Sequence, residues 1–230
     1  LSNASDDPAF EIIRHPDGPY ATATRLFGAK IEDFARTLGY STYLVTSAEP
    51  LSGKTTAVCN LAFALAEDTT RRVALVEANF RHPRIGAIMH APEHAGIIPV
   101  LEGRAQLADS VIKISDRNLI VLPCGGRHTN PTEILASPRF KALIAELANT
   151  VDIALVDGPS VKPFADANLL LPLVDAVCMV VAGGSTQSRW LAQATAQIGE
   201  NRILGLLVNR LPTKMAKDLG AERKRRLRHR

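Results

Sequence analysis

Ala48-Glu49-Pro50-Leu51-Ser52-Gly53-Lys54-Thr55-Thr56 is a loop-like segment between an apolar run at 43–46 and a helix-like run at 57–66. A strand, a tight turn with Gly-Lys-Thr and then a helix is typical of a phosphate-binding loop. The reason is that the first turn of a helix offers unpaired N–H groups and a positive dipole end to anions. The segment therefore predicts nucleotide binding, and the alternative is an ordinary strand-to-helix turn.

The residues of this loop have separate expected roles. Lys54 is expected to reach the β- and γ-phosphates of a nucleotide, and the hydroxyl of Thr55 is expected to ligate Mg²⁺. Ser52, Gly53 and Thr56 complete the predicted nucleotide-binding loop. Ala48 stands where the general motif usually has its first glycine, so the match to that motif is incomplete.

Polar side chains end three further strand-like runs. Glu77 and Asp157 each close an apolar run, and Asn209 closes another. Ligands of open α/β sheets bind at the carboxyl ends of the strands, and carboxylates there hold Mg²⁺ directly or through water. Asn209 would hydrogen-bond a base. The alternative for each acid is a helix cap or a turn.

The apolar runs are mostly continuous, which is typical of strands buried on both faces of a parallel sheet. They alternate with helix-like runs along the chain. We therefore predict a doubly wound α/β fold of the P-loop type, with a mostly parallel sheet and helices on both faces. The predicted strands are 42–46, 73–77, 119–123, 153–157, 176–181 and 203–209, and the predicted helices are 20–38, 54–67, 131–149, 163–172 and 185–199.

The length of 230 residues suits one such domain with a sizeable core. Residues 1–19 are predicted to be an extended arm or linker, 20–212 the nucleotide-binding domain, and 213–230 a basic tail. No apolar run approaches the roughly 20 residues that span a bilayer. The three cysteines are far apart and show no disulfide or metal-site spacing, which indicates a reducing, cytoplasmic setting.

The positive charge of the chain is concentrated at its C-terminus. The whole chain has a formal charge of +4, whereas 222–230 alone carries +5, so the rest of the chain is close to −1. The basic pI therefore reflects the tail, and no specific nucleic-acid binding is expected. Such a tail is usually a solvated end, and the alternative is contact with an anionic membrane surface.

Together these motifs resemble the bacterial tyrosine kinases of polysaccharide export, which are P-loop proteins related to the cell-division and partition ATPases. The resemblance covers about 20–212. Glu49 occupies the place where partition ATPases carry an extra lysine, which favours the kinase branch. The segments that carry the resemblance are 47–56, 77–83 (similar to Asp-x-Asp-x-Arg), 157–160 (similar to Asp-x-Pro-Pro), 96–103, 130–137, 164–167 and 208–209.

The resemblance implies ATP or ADP and Mg²⁺ as cofactors, and phosphoryl transfer to tyrosine. It implies Lys54, Glu77 and Asp157 as catalytic residues, with Glu77 as the base. It also implies that Thr55, Glu77 and Asp157 hold Mg²⁺, and that Asn79, Arg81 and Asn209 contact the nucleotide. The implied partner is a polysaccharide co-polymerase transmembrane protein, fused or separate, at the inner face of the cell membrane.

Several residues depart from the family pattern. Glu77 stands in place of an aspartate, and Asn79 replaces a second acid and cannot act as a base. Leu51 and Ser52 stand where the family usually has a glycine and an acidic residue. Because leucine disfavours positive φ, we expect a reshaped phosphate loop. Of the family's oligomerisation segment only Arg25 remains, which leaves homo-oligomer formation open.

Three interpretations follow from these residues. The first is an active, weakened kinase that regulates polysaccharide polymerisation and export. The second is a degenerate kinase that acts as a binding or regulatory module. The second is supported by the departures from the family pattern and by the absence of the family's C-terminal tyrosine cluster, since the chain has only Tyr20, Tyr40 and Tyr43. Of these two, we favour ATP binding with weak or altered catalysis. The third is a partition-type ATPase, which Glu49 disfavours.

Overall fold

The computed structural model describes residues 9–92, 94–126, 128 and 130–211, and contains a seven-stranded sheet with helices packed on it. The strands are β1 (Thr42–Thr46), β2 (Val73–Glu77), β3 (Ile112–Ile114), β4 (Leu119–Leu122), β5 (Ile153–Asp157), β6 (Ala176–Ala182) and β7 (Ile203–Asn209). The helices are α1 (Glu11–Arg14), α2 (Pro19–Leu38), α3 (Lys54–Leu65), α4 (Ile85–Ile88), α5 (Ile97–Leu101), α6 (Leu107–Ser110), α7 (Pro131–Ala136), α8 (Pro138–Thr150), α9 (Asp166–Leu170) and α10 (Ser188–Ile198). Short 3₁₀ turns lie at Leu171–Leu173 and Glu200–Arg202.

The strand order is β3-β4-β2-β5-β1-β6-β7, and every neighbouring pair is parallel except β3 with β4. This confirms the predicted doubly wound, mostly parallel α/β fold. In the register of the sheet, Asp157 pairs with Val45 on one side and with Glu77 on the other. The carboxyl ends of β1, β2 and β5 therefore meet at one edge, where this class of fold binds ligands.

Burial on both faces explains why the central strands are continuously apolar. All five residues of β1, β2 and β5 are buried. Successive side chains of a strand point to opposite faces. Tyr43 and Val45 pack in a core cluster that includes residues of α3, whereas Leu44 packs in a second cluster that includes residues of α8.

Several elements differ from the prediction: the short helices α1, α4, α5 and α6 were not predicted, and the helix predicted over 163–172 is limited to α9 and a following 3₁₀ turn. β3 was not predicted, because it has only three residues and only Ile114 among them is buried. The helix predicted over 131–149 is two helices, and the break lies at Ser137-Pro138. Ser137 caps α8 by accepting a hydrogen bond from the N–H of Phe140 at 3.1 Å, and Pro138 has no N–H to continue α7.

Residues 9–18 of the predicted arm are described; 9–13 pack on the domain and include the start of α1, whereas 14–17 are exposed. Phe10 is fully buried, and its ring meets the ring of Phe63 edge to face at 4.9 Å. The buried side chain of Asn60 accepts a hydrogen bond from the N–H of Ile12 at 2.8 Å and donates to the carbonyl of Ala9 at 2.5 Å. The predicted basic tail lies outside the described residues.

No helix in the described ranges combines the length and the apolar character that crossing a bilayer requires.

Candidate functional site

The loop between β1 and α3 has an unusual backbone. Gly53, directly before the helix, has a φ of 82°, and Leu51 has a φ of 61°. Leu51 therefore takes the left-handed conformation that its side chain disfavours, at a cost of about 1–2 kcal/mol. Its side chain is 81% exposed, so no packing within the described residues compensates. Strain of this kind is found at ligand-binding loops.

A cavity of about 390 Å³ opens beside this loop at the carboxyl edge of the sheet. Six of the predicted binding residues line it, namely Gly53, Lys54, Thr55, Thr56, Asn79 and Arg81. Other lining residues were not among the predicted site residues; they include His82 and Phe164, from segments that carry the family resemblance, and Arg84 and Arg210. Several cationic side chains thus surround the space above the start of α3, which suits an anionic ligand.

The centre of the site is formed by Lys54, Thr55 and Asp157, of which Lys54 and Asp157 are buried and Thr55 is half-buried. Asp157 is fully buried, and its Oδ2 accepts a hydrogen bond from the hydroxyl of Thr55 at 2.8 Å. Its Oδ1 has no hydrogen-bond partner among the described residues. Burial raises the pKa of Asp157 to about 7, although the charge of Lys54 and the Thr55 hydrogen bond act in the opposite direction.

Lys54 is also largely buried, at 8% exposed. Burial lowers the pKa of its ammonium group, and the nearby Asp157 opposes that shift. The ammonium group of Lys54 and the titratable carboxyl group of Asp157 therefore interact in a low-dielectric site. A carboxylate oxygen without a partner, beside a threonine hydroxyl, fits the oxygen ligands of Mg²⁺.

Glu77 does not take part in this centre. Its Oε1 accepts hydrogen bonds from the backbone N–H groups of Arg84 and of Ile85 (2.6 Å), and its Oε2 accepts one from Cys124 at 2.9 Å. The side chain is 1% exposed and borders a different cavity, next to Cys124. In this structure the carboxylate is therefore not available to the predicted Mg²⁺ ion or to a substrate hydroxyl.

Arg81 lies in the wall of the cavity beside the phosphate loop. Its guanidinium donates to the buried carboxylate of Asp166 at 2.5 and 3.2 Å and lies 3.8 Å from the ring centroid of Phe164. Asp166 also accepts a hydrogen bond from the hydroxyl of Thr132 at 2.8 Å. Thr132 and Asp166 belong to segments that resemble the kinase family, which is the signal in the sequence that could have identified them.

Asn209 lies against the phosphate loop. Its Nδ2 donates to the carbonyl of Ser52 at 3.1 Å, and its Oδ1 accepts from the N–H of Arg210 at 2.9 Å. Ser52 in turn donates its hydroxyl to the carbonyl of Glu49 at 2.8 Å. Ser52 and Asn209 thus touch the loop backbone instead of the cavity.

We expect the Glu77→Gln substitution to destabilise the fold without changing nucleotide affinity. In the variant, the side-chain N–H₂ group of the glutamine would replace one carboxylate oxygen, so one backbone N–H would face a donor where the parent offers it an acceptor. This change should cost about 1.5–3 kcal/mol in the free energy of unfolding. Urea unfolding measures this cost. Glu146→Gln, at an exposed position of α8, is the control and should change stability by less than about 0.5 kcal/mol. Unchanged stability with a lost Mg²⁺ dependence of binding would instead make Glu77 a metal ligand.

The chain is similar in sequence to several curated proteins, and no protein-family model matches it. It is 29% identical over 168 residues to tyrosine-protein kinase YwqD of Bacillus subtilis, covering 72% of this chain and 70% of YwqD. It is 28% identical over 170 residues to tyrosine-protein kinase CpsD of Streptococcus pneumoniae, covering 73% and 74%. It is 31% identical over 173 residues to the succinoglycan biosynthesis transport protein ExoP of Rhizobium meliloti, of which it covers 22%.

The chain is also similar in fold to several solved structures. The chimerical protein CapA2B2 superposes with a TM-score of 0.81 at 25% identity, covering 90% of this chain and 92% of that one. The kinase domain of VpsO gives a TM-score of 0.75 at 26% identity, covering 84% and 96%. The cell-division protein MinD of Pyrococcus horikoshii, solved with Mg-ADP, shares the fold at 19% identity and a TM-score of 0.60, covering 77% and 76%.

Proposed function

This chain is a divergent relative of the bacterial tyrosine-protein kinases with a P-loop fold, and we propose that it binds ATP or ADP with Mg²⁺ in the cavity beside the phosphate loop. The observation that carries this proposal is the cluster of buried Lys54, half-buried Thr55 and buried Asp157, in which one carboxylate oxygen lacks a partner among the described residues. A buried acid and a buried lysine side by side are costly for the fold alone. A polyphosphate and a cation would satisfy both.

Each residue of the cluster has a distinct role in this proposal. Lys54 binds the β- and γ-phosphates, while Thr55 and Asp157 hold the metal ion through oxygen atoms. When bound, Mg²⁺ neutralises charge on the phosphate oxygens. Because burial raises the pKa of Asp157 to about 7, this carboxyl group is partly protonated at neutral pH and would have to lose that proton to hold a metal ion.

Phosphoryl transfer by this site is expected to be weak. Transfer to a tyrosine needs a group that orients or deprotonates the acceptor hydroxyl. Glu77 is occupied by three backbone N–H groups, and the amide of Asn79 cannot accept a proton. The same observation favours a second candidate function, a nucleotide-binding module that regulates by contact.

The acceptor is proposed to lie on another polypeptide or another copy. The hydroxyls of Tyr20 and Tyr43 are buried in the fold, and burial raises the pKa of Tyr20 to about 12. Neither hydroxyl can therefore reach a nucleotide without unfolding. We place the protein in the cytoplasm at the inner face of the membrane, beside a polysaccharide co-polymerase, in exopolysaccharide or capsule polymerisation and export. The name of ExoP and the similarity to CapA2B2 support this placement.

Calorimetric titration of the full chain with ATP and with ADP, with and without Mg²⁺, tests the proposal. We expect micromolar binding that Mg²⁺ strengthens at least roughly tenfold, corresponding to about 1.4 kcal/mol. Absence of binding under both conditions would refute the nucleotide site. If binding is found, transfer of labelled γ-phosphate to a tyrosine-containing copolymer separates the two functions. Measurable transfer supports the weakened kinase, and none supports the binding module.

A further inference from the structure

The end of the edge strand β7 is packed on the phosphate loop. The Nδ2 atom of Asn209 lies 3.1 Å from the carbonyl oxygen of Ser52. A Cβ atom placed on Gly53 would overlap this same Nδ2 atom. Asn209 therefore contacts two successive residues of the loop, and a side chain at position 53 would push its amide away from the Ser52 carbonyl.

The orientation of the Asn209 amide is fixed by its neighbours. The backbone N–H of Arg210 is a donor and needs an acceptor, so it meets the side-chain oxygen, at 2.9 Å. The nitrogen must then face the carbonyl of Ser52. Each end of the amide thus makes a hydrogen bond within the protein, and the bond from its nitrogen is made to the backbone of the phosphate loop.

The loop needs support of this kind, because its backbone is strained. Leu51 has a positive φ of 61°, and for a residue other than glycine such a conformation persists only where the surroundings hold it. Within the loop, Ser52 bonds to the carbonyl of Glu49. Among the described residues, Asn209 provides the side-chain hydrogen bond that reaches this loop backbone from another part of the fold.

We propose that Asn209 is a positioning residue, which holds the phosphate loop in the shape that receives a polyphosphate. The proposal rests on the proposed nucleotide binding. It also assigns the cavity-facing role at this strand end to Arg210. That residue lines the cavity, and its own left-handed backbone (φ 54°) is bonded to the same amide.

Titration of Asn209→Ala with Mg²⁺ and three ligands, ATP, GTP and inorganic tripolyphosphate, separates positioning from base recognition. We expect all three affinities to fall by a similar factor, roughly tenfold, with an unchanged ratio of ATP to GTP affinity. The control is Asn201→Ala, at an exposed asparagine of the 3₁₀ turn that precedes this strand, which should bind like the parent. A fall for ATP alone, with tripolyphosphate unaffected, would overturn the proposal.

Amide hydrogen exchange of residues 50–55 without nucleotide provides an independent test. We expect faster exchange in Asn209→Ala, and also in Asn209→Asp, where a carboxylate oxygen would face the Ser52 carbonyl. Equal exchange in the parent and both variants would refute the positioning role. If the parent binds no nucleotide, the proposed function fails, and the exchange experiment still decides the role of Asn209 in the loop.

Discussion

Replacing Lys54 with methionine is expected to weaken Mg-ATP binding by at least about 100-fold, which corresponds to about 2.8 kcal/mol. Methionine keeps much of the length and apolar stem of lysine but removes the charge. The ammonium group of Lys54 lies in a largely buried site beside Asp157, where a charge interaction with phosphate is screened little. Removing one partner of such a desolvated charge pair typically costs 2–5 kcal/mol. Calorimetric titration of the variant measures the loss.

The unliganded Lys54→Met protein should remain folded. Without the lysine charge, Asp157 can keep its proton, because burial already raises its pKa to about 7. Lys113→Met is the matched control, since Lys113 is exposed on β3 at the far edge of the sheet. That variant should bind Mg-ATP like the parent. An unchanged affinity in Lys54→Met would place the nucleotide elsewhere than at the phosphate loop.

The buried part of the fold was predictable because its signal is local. Every residue of the central strands β1, β2 and β5 is buried, so each strand reads as an unbroken apolar run. The edge strand β3 carries the sequence Ile-Lys-Ile and buries one residue, which gives no such run. The break between α7 and α8 was readable, since Ser137-Pro138 combines a helix cap with a first-turn proline.

The parts of the candidate site that come from one continuous stretch of sequence were predictable. The parts that depend on backbone groups from distant segments were less so. Lys54 and Thr55 follow from the loop motif, because the strand and the helix on either side fix their positions. The direction of the Glu77 side chain depends on N–H groups of Ile85 and Cys124, which come from two other segments. The spacing of residues in the sequence does not indicate which backbone N–H groups the Glu77 carboxylate meets. The exposed, strained Leu51 was visible in the sequence only as a departure from the family pattern.

Replacing Asp157 with asparagine is expected to remove a pH dependence of stability. The pKa of Asp157 is about 7 in the fold and 3.8 in its ordinary state. Between these values the folded protein keeps a proton that the unfolded chain releases, so its contribution to stability falls as the pH rises from about 4 to about 7. Above about pH 7 the buried carboxylate is ionised and the loss is complete. The full difference is on the order of 4 kcal/mol.

Urea unfolding of the parent and of Asp157→Asn from pH 4.5 to pH 8, with chelator present, measures this effect. The new buried amide N–H groups shift the stability of the variant by a constant amount, so the informative quantity is the change with pH. Between pH 4.5 and pH 8, the free energy of unfolding of the parent should fall relative to that of the variant by most of the expected difference. Adding Mg-ADP should restore stability to the parent alone, because the ionised Asp157 carboxylate then has the metal ion as its partner.

Asp152→Asn is the control, since the pKa of Asp152 is lowered by its hydrogen bond to Arg72 and its contribution to stability is constant above about pH 4. Parallel curves for the parent and Asp157→Asn would mean that Asp157 is already ionised and satisfied without a ligand.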